Sequence, residues 1–119
     1  MNESTIQRKH RFMVQDMAKK PEDIKINDLG KVVMHAALGI AGESGEVVDV
    51  VKKAVINGRP LNRIEVMKEM GDLEFYLALL RDALDIDREI VLEMNIDKLR
   101  ERYPDGYSDQ ASRERRDVG

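Results

Sequence analysis

At 119 residues, 42% hydrophobic and 36% charged, the chain is expected to form one domain with room for a single core. The absence of cysteine excludes disulfides and thiol chemistry, and no apolar run approaches the roughly 20 residues that span a bilayer. A net charge of −3, without a basic stripe interleaved with aromatics, points away from nucleic-acid polymers.

Aromatic residues make up only 4% of the chain, and Leu, Met, Glu and Lys are frequent, which favours helix over sheet. The stretch from Met1 to Arg11 has no apolar segment of the secretory kind, so a cytoplasmic location is the expectation. A first helix is expected over residues 4–20, with Ile6, Phe12, Met13 and Met17 as its apolar positions and Pro21 as its stop. After a polar connector, a second helix is expected over 29–56, ending at Asn57-Gly58 with Pro60 beyond. Gly39, Gly42 and Gly45 interrupt it, and close approach of a neighbour is the reason sought for them. A third helix is expected over 62–84 and a fourth over 87–103. Residues 104–119 read as a turn and a charged tail in which Arg113, Arg115 and Arg116 are solvated. Short connections between amphipathic helices predict an all-α four-helix bundle. Its remaining apolar surface is expected to be covered in a homodimer or homotetramer.

Two acidic pairs stand out. Glu43 and Glu46 are spaced i, i+3 on the second helix, and Glu69 and Asp72 likewise on the third. That spacing projects both members of each pair from one helix face, so two antiparallel helices present four carboxylates to a shared space. Glu69 and Asp72 share the sector of Tyr76, Leu79 and Leu80, and Glu43 points between Val47 and Val50. Carboxylates on an apolar face must be neutralised, paired or metal-bound. Ion pairing across the bundle is one solution, but Lys53 is the main base on these sectors. A hard divalent cation is the other, and all-oxygen ligands select magnesium, or manganese in its place, over zinc. A di-iron centre is disfavoured because neither His10 nor His35 follows a Glu at i+3. On the fourth helix Asn95, Lys98 and Arg102 form one stripe, a complement suited to polyphosphate oxygens. Glu65 lies in line with Glu69 and Asp72, and reads more simply as a solvated first-turn glutamate than as an outer ligand.

The segments AALGIAGESGEVVDVVKK (36–53), EVMKEMGDLEFYLALLRDALDI (65–86) and NIDKLRERYPDGYSDQASRERRD (95–117) resemble the MazG-like all-alpha nucleoside triphosphate pyrophosphohydrolases. The E-x-x-E…E-x-x-D pattern of that family is met by Glu43, Glu46, Glu69 and Asp72. The resemblance implies that these four acids bind magnesium bridging a triphosphate, and that Lys53 meets phosphate oxygens. It also implies that Asn95 and Lys98 contact phosphates or sugar, with Arg102 and Tyr103 at the same ligand or at a subunit contact. The implied assembly is a tight dimer or a dimer of dimers, with sites near subunit interfaces. The first helix would help to build the base pocket from residues such as Phe12, Met13 and Gln15, although core packing is the simpler role for Phe12.

The implied reaction converts a ribo- or deoxyribonucleoside triphosphate to its monophosphate and pyrophosphate, with Glu46 or Glu43 as general base. A dUTPase-like or phosphoribosyl-ATP pyrophosphatase relative would share the chemistry and differ in the base pocket. A non-catalytic helical dimerisation module is the alternative of a different class.

Overall fold

Each helix opens on a side chain short enough to fold back onto its own first turn. Ser4 begins α1 (Thr5–Met17) with a reciprocal cap: its hydroxyl accepts from the Gln7 N–H at 3.2 Å, and the Gln7 side chain accepts from the Ser4 N–H at 2.9 Å. Asn27, Asn62, Asp87 and Ser108 cap α2 (Asp28–Ile56), α3 (Arg63–Ala83), α4 (Arg88–Arg102) and α5 (Asp109–Glu114). The computed structural model describes residues 2–115 and 117, so Met1, Arg116, Val118 and Gly119 lie outside it. The described residues contain no β-strand, and none of their helices is long and apolar enough to cross a membrane.

The helix ends are set by local chemistry. α1 stops at Met17 rather than at residue 20, because the chain is already extended at Ala18 and Lys20 ahead of Pro21. Proline lacks an N–H and drives the residue before it out of helical geometry, and here it opens a single 3₁₀ turn, Pro21–Asp23. α2 ends in a Schellman motif: Gly58 takes φ +62°, its N–H donates to the Val55 carbonyl at 3.2 Å, and the Arg59 N–H donates to the Ala54 carbonyl at 2.9 Å. α3 closes the same way, with Asp85 at φ +54° and the Ile86 N–H donating to the Arg81 carbonyl at 2.8 Å. The tail departs from expectation, since Ser108 starts the short helix α5 within it.

Among the described residues, extensive helix–helix packing is confined to α2 against α3, while α5 folds back on the end of α4. The antiparallel α2–α3 hairpin is drawn close at Gly39, where a Cβ would collide with the Tyr76 ring. Of the three helical glycines that needed a neighbour, this one has it, whereas a Cβ at Gly42 or Gly45 meets open space within the chain. Tyr76, Leu79 and Leu80 are partly buried as their shared sector requires, and Ala36 is the fully buried apolar residue among those described.

A single chain therefore does not close the expected four-helix bundle. Its Cα radius of gyration is 21.1 Å, whereas a compact domain of this length measures about 13–14 Å. Phe12, expected in the core, is 55% exposed, with the Arg11 guanidinium 4.7 Å above its ring. Ile90, Met94 and Leu99 on α4 are exposed as well. The apolar stripes exist as the sequence requires, but their own chain supplies no layer to cover them.

Candidate metal and phosphate site

The α2–α3 hairpin brings the acidic pairs together. Glu43 lies one turn beyond Gly39 on α2, and Asp72 one turn before Tyr76 on α3, so the contact at Gly39 sets their separation. Carboxylate oxygens of Glu43, Glu69 and Asp72 all lie within 4.8 Å of one another. Glu43 and Glu69 are partly buried and Asp72 is exposed. Glu46 is exposed and stands outside this group of three, near enough for its charge to act on Glu69. Among the described residues, none of the four acids is engaged in an ion pair.

Glu69 carries the electrostatic consequence. Its carboxyl is held above the ordinary glutamate range, first by desolvation between the helices, then by the charges of Asp72, Glu46, Glu43 and Glu65. Crowded anions without a base are what a hard cation relieves, and three carboxylates supply the all-oxygen donor set that magnesium or manganese prefers.

Lys53 does not neutralise the cluster. Its ammonium pairs with Asp49 at 2.8 Å, one turn back on α2, and this hydrogen bond followed by the charge of Asp49 raises its pKa. Lys53 instead lines a cavity of about 420 Å³ beside the acids, together with Asp49, Arg59, Pro60, Asn62 and Glu65. Arg59 was not singled out from the sequence. The signal was present in Asn57-Gly58, because a Schellman motif folds the residue after the glycine back beside the last helical turn.

The α4 residues form a separate group. Asn95 and Lys98 line a cavity of about 670 Å³ that Asp117 also borders. Arg102 is engaged by the tail: its Nε and Nη2 donate to the two oxygens of Asp117 at 2.8 and 2.9 Å. The Asp117 side chain is 2% exposed, and the Arg102 hydrogen bonds hold its carboxyl below the usual range. Tyr103 packs its ring 5.3 Å from that of Tyr107, across the turn closed by the Gly106 N–H on the Tyr103 carbonyl. Within one chain, α4 makes no extensive contact with α2 or α3, so Asn95, Lys98, Arg102 and Tyr103 are not gathered with the acids.

The chain is 32% identical over 76 residues to the Gene 37 protein of Mycobacterium phage L5, an alignment covering 60% of this chain and 67% of that protein. No solved structure matches the chain. Residues 33–107, more than half of the chain and inclusive of all four acids, match the family model of the MazG nucleotide pyrophosphohydrolase domain. The chain belongs to the MazG nucleotide pyrophosphohydrolase family.

Proposed function

We propose that the protein hydrolyses a ribo- or deoxyribonucleoside triphosphate to the monophosphate and pyrophosphate, with magnesium held by Glu43, Glu69 and Asp72. The observation that carries this reading is the convergence of three carboxylates from α2 and α3 within 4.8 Å, without a base among them, in a chain of this family. Manganese satisfies the same oxygen donors and is the expected substitute.

Phosphoanhydride hydrolysis is mainly positioning and charge neutralisation. Magnesium, when bound, shares the charge of the phosphate oxygens and makes water easier to deprotonate. Glu46 is the general base, because it stands one turn from Glu43 with its carboxylate free of the group of three. One water is consumed, the bond between the α- and β-phosphates breaks, and the proton of that water passes to Glu46. The oxygen of the water remains in one product and the bridging oxygen leaves with the other. Lys53 offsets charge on the departing pyrophosphate.

Asn95 and Lys98 would supply the nucleotide side of the site, with Arg102 and Tyr103 beside them. Because α4 is remote from the acids within one chain, we place these residues against the acids of a second copy, in a homodimer or homotetramer. That arrangement also covers the exposed apolar stripes of α1 and α4. The substrate is a free nucleotide rather than a nucleic-acid polymer or a membrane component, and the setting is cytoplasmic.

The test is release of monophosphate and pyrophosphate from a panel of ribo- and deoxyribonucleoside triphosphates, in magnesium, in manganese and in chelator. Metal-dependent release of both products is expected, and the ranking of nucleotides defines the base pocket. Asp72→Asn should abolish turnover while circular dichroism keeps the helical signal. A wild-type protein that binds metal and turns over no nucleotide would instead be a non-catalytic helical module.

A further inference from the structure

We propose that Arg59, with Lys53, forms a pyrophosphate subsite at the α2–α3 turn. The polyphosphate then lies along the α2–α3 groove with its terminal phosphates towards Gly58. The inference rests on the pyrophosphohydrolase reading and adds to it a binding residue and a direction for the substrate.

The backbone fixes where Arg59 stands. Gly58 in the left-handed region turns the chain at the end of α2, and the Arg59 N–H bonds back to Ala54. Pro60 follows and restrains Arg59 to extended geometry. The side chain is thereby rooted beside the last turn of α2, where it borders the same cavity as Lys53. At about 420 Å³ that cavity lies within the roughly 300–1,000 Å³ range of small-molecule sites.

The cavity continues the acid site. Glu65 on its wall is one turn before Glu69, and Asp49 is one turn beyond Glu46. Lys53 feels the charge of Glu46, and Glu69 feels that of Glu65. The two cations differ in availability. Lys53 is paired with Asp49, whereas Arg59 is in no ion pair among the described residues. A planar guanidinium with unshared donors is suited to bidentate contact with phosphate. Asp49 and Glu65 bring the cavity close to neutrality, which suits magnesium pyrophosphate, its charge already partly cancelled, better than the bare anion.

The experiment measures binding of magnesium pyrophosphate by calorimetry, and its inhibition of triphosphate turnover, for wild type, Arg59→Ala, Arg59→Lys and Arg63→Ala. Arg63 opens α3 next to this turn but does not line the cavity, so it controls for the loss of one positive charge. Arg59→Ala should weaken pyrophosphate binding about tenfold, as expected for loss of charge-assisted hydrogen bonds, with manganese affinity unchanged. Arg59→Lys should recover part of that loss, and Arg63→Ala should match wild type. Equal pyrophosphate affinity in Arg59→Ala and wild type would overturn the subsite and leave the hydrolase reading standing. Wild-type protein that binds no pyrophosphate would also overturn it. Arg59-dependent pyrophosphate binding without any triphosphate turnover would sustain the subsite and remove the hydrolase reading.

Discussion

Glu69 sits where burial and like charge act in the same direction, and this gives a pH dependence with a definite sign. Its carboxyl is raised in the fold, so the folded state holds a proton that the unfolded chain releases near the ordinary value of 4.5. Wild-type stability in chelator therefore loses a contribution as pH rises through and above that value. Glu69→Gln removes the charge and should melt higher than wild type at neutral pH in chelator. The difference should close as the pH is lowered towards the glutamate range, and a difference independent of pH would contradict the assignment. Added magnesium should reverse the order, because the variant loses a ligand. The convergence of Glu43, Glu69 and Asp72 was legible in the sequence because spacings of three or four on a helix fix a common direction whatever packs against it. That Glu46 stands apart from the other three was not legible, since it depends on how α2 and α3 cross. Arg102 shows the same limit: its stripe on α4 was readable, but its engagement by Asp117 depends on a tail contact spanning 15 residues.

At the level of elements, caps and stops carried most of the information. Asn62 and Asp87 marked the starts of α3 and α4 because a side-chain oxygen serves the first free N–H groups. Asn57-Gly58 marked the end of α2 because glycine enters the left-handed region without penalty. α5 escaped notice because one short turn with little apolar periodicity owes its place to α4, against which it folds. Gly58→Ala should lower stability by about 1–2 kcal/mol in a thermal or urea melt, the cost of placing a Cβ at positive φ. Gly39→Ala acts across the hairpin instead. Its new methyl collides with the Tyr76 ring, so α2 and α3 must separate, at about 1–3 kcal/mol. Since Gly39 lies one turn from Glu43 and Tyr76 one turn from Asp72, manganese affinity should fall in the same variant. A variant that loses stability but keeps its manganese affinity would show the two helix contacts to be independent.

For the whole molecule, a radius of gyration of 21.1 Å and exposed apolar stripes on α1 and α4 describe a chain that cannot bury its own core. The sequence showed which faces are apolar but not what covers them, because hydrophobic periodicity is blind to the identity of the neighbour. If association supplies the missing layer, the melting temperature should rise with protein concentration, and sedimentation should show no stable folded monomer. A concentration-independent melt with a monomeric sedimentation coefficient would contradict this. The α2–α3 hairpin has one more consequence, which concerns time. The three converging carboxylates all lie between residues 43 and 72, on neighbouring helices joined by a short turn. During synthesis α2 and α3 therefore leave the ribosome, and can pair, before α4 does. A cation captured at that stage would hold the hairpin closed while the rest of the chain emerges, so the proposed metal would serve first as an aid to folding.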